Sequence, residues 1–232
     1  MKQKIRKFIS LSLSAMLILL FIVCAGSIIF GAAGYRIESK SRKIYQTSMV
    51  VVKSQPRDAT CILDGVEQAG MSVWRISNVA PGNHKISVAK EGYQNWMQTF
   101  AVTAGETKIY EDIVLFLRNP TPIASEKNNN QNLFNKLLEQ NVDDRIIVKN
   151  ETELWYNDEL VTRFSQKVAG IKLYPDNRHV AYISKRELHI IDIDGSNDMA
   201  IIKLPSDNYM FLDSGATVVY IDGEELKSAK IR

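Results

Sequence analysis

The sequence predicts a mainly β chain hung on a single N-terminal membrane helix, and three observations carry that reading. Residues Phe8 to Gly34 contain no charged side chain. From Pro56 to Leu117, short alternating apolar runs are cut by Asp64-Gly65, Pro81-Gly82, Gly92-Tyr93 and Gly105-Glu106. From about Asp144 to Ile231, ten more brief apolar runs recur at similar spacing.

The uncharged segment 8–34 is 27 residues long. At about 1.5 Å per helical residue it exceeds the roughly 30 Å of a bilayer core, so it predicts a transmembrane helix. A cleaved signal peptide has an apolar core of only about 7 to 15 residues. Gly31-Ala32-Ala33-Gly34 offers a small-residue cleavage site, but the length favours a retained anchor. Bulky Phe21-Ile22-Val23 argues against lipidation of Cys24. Lys and Arg tie at four on each flank, so the positive-inside rule alone does not orient the span. The short N-terminal tail, residues 1–7, is placed in the cytoplasm and the body outside it. Residues 35–46 then read as a basic juxtamembrane stalk, solvated and linker-like.

Eight basic residues against Glu38 give residues 1–43 a charge of +7, so of the chain's +3 a net −4 falls on the rest. A mildly acidic folded part excludes nucleic acid as a partner, because that function clusters cations on the folded domain.

Residues 47–117 predict a small β-sandwich. Runs such as His84 to Ala89 and Gln98 to Thr103 alternate with period two, the signature of strands buried on one face. The Pro and Gly punctuation supplies the tight reversals. This phase turns Cys61, Leu63, Ile86, Val88, Trp96, Phe100, Val102, Ile109, Ile113 and Leu115 inward. Cys24 lies in the membrane segment and Cys61 at an inward strand position, so the two cannot pair. No His, Cys or acidic spacing suggests a metal or other cofactor.

In order, Pro56, Ala59, Asp64-Gly65, Gly70, Pro81-Gly82-Asn83-His84, Gly92-Tyr93-Gln94-Asn95-Trp96 and Gly105 resemble the PEGA domain family over about residues 54–117. Asp58 stands where the name-giving Gly would be, and Met71-Ser72-Val73 replaces the family's Gly-x-Thr-Pro turn. The resemblance implies an extracytoplasmic, surface-associated β-sandwich tethered by one membrane helix, with structural roles for Pro56, Ala59, Asp64, Gly65, Gly70, Pro81, Gly82, His84, Gly92, Tyr93, Trp96 and Gly105 and no enzymatic activity of its own.

Polar residues 118–132 read as a linker. Leu133, Phe134, Leu137 and Leu138 form one apolar stripe of a short helix over 133–140, capped by Asn130 or Asn132. Beyond it, Tyr174-Pro175-Asp176 through Asp194-Gly195 resembles a TolB-type propeller blade, and Phe211-Leu212-Asp213 through Asp222-Gly223 repeats the pattern about 38 residues later, near the roughly 40-residue period of a blade. Residues 141–232 then supply about two blades where propellers need about four to eight. The region is expected to be an incomplete β-propeller, either a fragment or a unit that needs a partner.

Asp192 to Asp198 fails the EF-hand register and reads as a strand reversal. Asn150-Glu151-Thr152 is a bare glycosylation sequon. No hydrolase, zinc-protease or kinase motif appears. The function expected is non-enzymatic: a single-pass surface protein displaying β modules toward an envelope polymer or another surface protein. The alternative is a sensor or hydrolase component whose catalytic part lies outside this chain.

Overall fold

The computed structural model describes residues 2–37, 44–123, 137, 143–223 and 225–232. The helix expected at 133–140, with its cap, lies outside the described residues except for Leu137, which is helical and fully buried. The chain divides into two compact units. One comprises Met1–Lys53, Val73–His84 and Thr99–Glu111, the other Ser54–Ser72, Lys85–Gln98 and Asp112–Arg232.

In the first unit, helix α1 (Lys2–Ala32) is followed by a pair of short strands, β1 (Tyr35–Ile37) and β2 (Ile44–Gln46). The stalk expected at 35–46 is therefore paired backbone at both ends. Strand β3 (Ser48–Gln55) follows; further along the chain come β4 (Thr60–Leu63), β5 (Val66–Gln68), β6 (Val73–Val79), β7 (Gly82–Ala89), β8 (Trp96–Val102) and β9 (Thr107–Val114). They form two sheets, β6-β3-β9 and β5-β4-β7-β8. Strand β3 alternates strictly, with Ser48, Val50, Val52 and Ser54 buried.

Nine of the ten residues expected inward are buried, among them Cys61, Ile86, Val88 and Leu115 with no exposed surface. Ile109 is the exception, 58% exposed. The reason lies three residues on. Asp112 adopts the left-handed conformation (φ 62), which shifts the inside-outside phase of β9 by one residue. Before the shift Lys108 and Tyr110 are half-buried, and after it Ile113, Val114, Leu115 and Phe116 are all buried. Tyr110 packs edge-on against Phe100 at 5.5 Å, inside the first unit.

The C-terminal strands of the second unit are β10 (Thr121–Ile123), β11 (Ile146–Lys149), β12 (Glu153–Tyr156), β13 (Glu159–Arg163), β14 (Ala169–Leu173), β15 (His179–Ser184), β16 (Glu187–Asp192), β17 (Met199–Lys203), β18 (Tyr209–Leu212), β19 (Thr217–Asp222) and β20 (Glu225–Lys230). They make three antiparallel sheets: β11-β12-β13, β14-β15-β16-β17 and β10-β20-β19-β18. Two expectations are corrected here. The region holds three sheets rather than about two, because β11–β13 pair with one another and not with a later blade. Residues 121–123, expected as linker, form β10, which completes the last sheet by pairing antiparallel with β20.

The middle sheet is buried on both faces. Ala181, Ile183, Leu188 and Ile190 join a cluster with Tyr174, Met199, Tyr209, Val218 and Ile231, while Val180, Tyr182 and Ile191 join Ile146, Leu154 and Val168 on the other side. Two-sided burial explains why β15 reads as a continuous apolar run instead of an alternation. Val114, at the end of β9, and Phe116, just beyond it, belong to the first of these clusters.

Gly215 sits in the left-handed region (φ +97), and a Cβ there would lie 2.3 Å from the Tyr174 hydroxyl, which donates to the Gly215 carbonyl at 2.8 Å. Gly65 has a similar φ (+82) at an open hairpin turn. Gly215→Ala is expected to cost about 2 kcal/mol or more, backbone strain plus a buried clash. Gly65→Ala should cost about 1 kcal/mol, from strain alone. Denaturant unfolding of the full chain in detergent, followed by circular dichroism, checks the order.

Candidate functional site

The site lies within the second unit, where the segment leading into β8 meets the turn between β16 and β17. That turn, Ile193 to Asp198, doubles back through Gly195 (φ +82) with Asn197 also left-handed (φ 51). Its short polar side chains hold the loop together: the Ser196 hydroxyl donates to Asp194 Oδ1 (2.6 Å), and the Ser196 amide donates to the same oxygen (2.9 Å). The loop then accepts from the β8 side. Trp96 Nε1 donates to Asp192 Oδ2 at 3.0 Å, the Met97 amide to Asn197 Oδ1 at 2.9 Å, and Gln94 Nε2 to the Ala200 carbonyl at 2.7 Å.

Beneath these bonds is a buried charge network. His179, at the start of β15, is 4% exposed. Its Nδ1 lies 2.7 Å from Asp176 Oδ2, and its Nε2 is paired with Asp192 Oδ1 at 3.0 Å. Burial pulls the imidazole pKa down, but the two carboxylates outweigh it and raise the value to about 9. The ring is therefore an imidazolium at neutral pH, closed in by the edges of Phe116 (5.7 Å) and Tyr174 (5.8 Å). Asp176 is held below the usual carboxylate range: burial opposes the charge, and the His179 contact overcomes it. Asp192 also accepts from Asn197 Nδ2 at 2.9 Å.

Above the network opens a groove of about 490 Å³ lined by Gln94, Asn95, Arg118, Asn197, Asp198, Met199 and Ala200. Arg118 is braced at its mouth by donating to the Tyr93 carbonyl at 3.1 Å. Asp198 is fixed by the Tyr182 hydroxyl, which donates at 2.6 Å, and by His189 Nδ1 at 3.1 Å. The lining is amide and charge with Met199 and Ala200, an arrangement suited to a polar, hydrogen-bonding ligand.

Most of the motif residues lie outside this site. Trp96 is buried against it and Tyr93 borders it, its ring under the Lys90 ammonium at 5.1 Å. Gly92 supplies a left-handed turn (φ 81) just before. Asp64 and Gly65 are both left-handed (φ 50 and 82), forming the two-residue hairpin turn between β4 and β5. Pro56 lies in the bend after β3, and Ala59 is buried ahead of β4. Asp58, in the place of the family's Gly, pairs with Lys90 at 2.5 Å. Gly70 (φ 142) precedes β6. Pro81, Gly82 and His84 shape the start of β7, with His84 Nε2 2.7 Å from the Ala80 carbonyl. Gly105 (φ 76) turns the chain between β8 and β9.

The sequence reads Asp176 and Asp192 only as turn residues and sets His179 aside as a metal ligand, and it does not single out Phe116. The usable signal was local: Asp176 stands three residues before His179 in a Pro-Asp turn. Among the described residues, no group of three or more His, Cys, Asp or Glu is arranged to hold a metal ion.

Residues 47–111 match the PEGA domain. No curated protein matches the chain. Among solved structures, a quinoprotein alcohol dehydrogenase-like protein from Bacteroides thetaiotaomicron aligns with 81% of this chain at 8% identity and a TM-score of 0.21, a likeness too slight to speak for fold or chemistry. The chain covers 54% of that protein, about half its length.

Two outcomes are expected of the network. The raised pKa of His179 contributes stability that is complete below the unfolded value near 6.5 and is lost as pH climbs through about 9. Over that window the loss is about 3 kcal/mol, and His179→Gln should flatten it; chemical unfolding at stepped pH checks both. Trp96→Phe, which keeps a ring but removes the donor to Asp192, should cost about 1 to 3 kcal/mol. Trp96→Ala should cost about 3 to 5 kcal/mol.

Proposed function

We propose that this chain, with its PEGA domain at residues 47–111, is a single-pass membrane protein whose body stands outside the cytoplasm and works by binding, not catalysis. The observation that carries the reading is the bare helix. Ser12–Ala32 is long and apolar enough to cross a bilayer, and none of it is buried against the protein. A core helix would be covered by its own protein; this one exposes Leu17, Leu19, Phe21, Ile28 and Ile29 along its length. Lipid is the cover that such a surface requires.

Retention of the helix is supported at its C-terminal end. The Gly34 carbonyl accepts from both the amide and the hydroxyl of Thr47, at 2.8 and 2.9 Å. The Ala33 carbonyl accepts from Gln46 Nε2 at 3.1 Å. The carbonyls of Ala33 and Gly34 are thus tied into the fold at the point where a signal peptide would be cut. A cytoplasmic N-terminus follows from the short basic tail and from the extracytoplasmic habit of PEGA domains.

The non-enzymatic reading is supported by what the titratable groups are doing. His84 holds a backbone carbonyl, His179 is locked between two carboxylates, and His189 leans on Asp198. The Cys61 thiol is buried, and burial pushes its pKa to about 11, away from thiolate chemistry. The groove beside β8 is the surface offered to the partner, an envelope polymer or another surface protein.

Two measurements test this. After carbonate extraction the intact chain is expected in the membrane pellet, and protease added to intact cells is expected to digest residues 44–232 while sparing the helix. Digestion that needs permeabilised cells, or a shortened chain in the carbonate supernatant, would sink the topology. For the groove, Arg118→Glu with Asn95→Ala should lower retention of the full chain on isolated cell-wall material by several-fold, without changing its unfolding midpoint.

A further inference from the structure

We propose that the β1–β2 pair is a membrane-surface device, lying in the headgroup layer with Ile37 and Ile44 turned into the lipid; the proposal rests on the single-pass reading above. The two strands pair Tyr35 with Gln46, Arg36 with Tyr45 and Ile37 with Ile44. Alternation puts Tyr35, Ile37, Ile44 and Gln46 on one face and Arg36 and Tyr45 on the other, with the Gln46 amide used up on the helix end, where its Nε2 donates to the Ala33 carbonyl. Ile37 is 62% and Ile44 59% exposed, a cross-strand apolar pair with no cover from the described protein.

Position says what covers it. Helix α1 ends at Ala32, and the Tyr35 ring stacks on Phe30 in its last turn at 5.1 Å. That stack folds the strand pair back against the end of the span instead of letting it lead away, so the Tyr35 face looks toward the bilayer. The hydrocarbon core ends there, and a layer of about 5 to 7 Å of headgroups follows. Tyr side chains favour that layer, and Tyr35 and Tyr45 both fall in it. The charge fits as well. Arg36 is in the pair, and the sequence joining the two strands adds Lys40, Arg42 and Lys43 against Glu38. Arg36 at this depth is drawn to anionic lipid phosphates, an attraction that fades within a Debye length of the surface. Apolar insertion and headgroup pairing together would fix the angle at which the body leaves the membrane.

Site-directed nitroxide labelling of the full chain tests the inference. In a Cys24→Ala background, checked for one label per chain, Ile37→Cys and Ile44→Cys are compared with Val66→Cys, an equally exposed residue on β5 (63%). The chain is reconstituted in phosphatidylcholine vesicles with and without phosphatidylglycerol. Labels at 37 and 44 are expected to favour collision with oxygen over a water-soluble nickel chelate several-fold more than the label at 66. Phosphatidylglycerol should strengthen the preference, and Arg36→Glu should weaken it. Chelate access at 37 and 44 equal to that at 66, in a chain that stays in the carbonate pellet, overturns the surface device and leaves the anchor standing. A chain that leaves the pellet overturns both.

Discussion

Much of the second unit depends on one buried cation. An imidazolium taken out of water is costly, and what makes His179 tolerable is a carboxylate at each nitrogen with aromatic edges closing the sides. Those neighbours are gathered from several stretches of chain. Asp176 arrives from the turn before β15, Asp192 from the end of β16, Phe116 from just beyond β9, and Trp96 reaches Asp192 from the first residue of β8. Removing any one carboxylate would strand a buried charge, which is more damaging than losing an ordinary contact. The start of β8 is therefore tied to the end of β16 by electrostatic necessity.

That necessity also shapes the groove. Asp192 needs donors on its second oxygen, and Trp96 and Asn197 supply them. Once the Asn197 side-chain NH2 is drawn down to Asp192, its Oδ1 is free to accept the Met97 amide, and the β16–β17 turn is pinned against the start of β8. Asp198, next along, is tied by Tyr182 and His189 on the opposite side. The groove walls are thus preorganised by groups that themselves cannot move without exposing a charge, a condition that lowers the entropic cost of holding a ligand.

The strands were largely legible and their partners were not. Runs such as His179 to Ser184 and Glu187 to Asp192 stand out because β-branched and aromatic residues cluster between turn residues, and burial on both faces makes the runs continuous. Pairing is a non-local fact. Nothing in Thr121-Pro122-Ile123 announces that it will lie beside Ser228 to Lys230, since three residues flanked by polar chain have too little pattern to read. Met49 to Val52 is apolar at every position, so period two could not say that Val50 and Val52 point inward and Met49 outward. Ile109 was misjudged because a left-handed Asp breaks phase without any Gly to mark it. The hairpin turns at Asn157-Asp158 and Lys185-Arg186 were hidden in the same way, their positive φ carried by residues other than glycine. Of the site, Trp96 was visible through its motif and its phase. His179 was noticed and set aside, because a buried ion pair has no spacing rule comparable to that of a metal site.

The pairing of β10 with β20 has a consequence for how the protein is made. The early strand leaves the ribosome roughly 100 residues ahead of its partner, a wait of about 5 to 20 s at ordinary synthesis rates. During that interval it has no neighbour on either side and is open to capture by another nascent chain. Pro122 at its centre lacks an N–H group, which leaves the unpaired strand a poor template for wrong additions and still lets it take its place at the sheet's edge. A residue that weakens the finished sheet slightly thus guards the unfinished one.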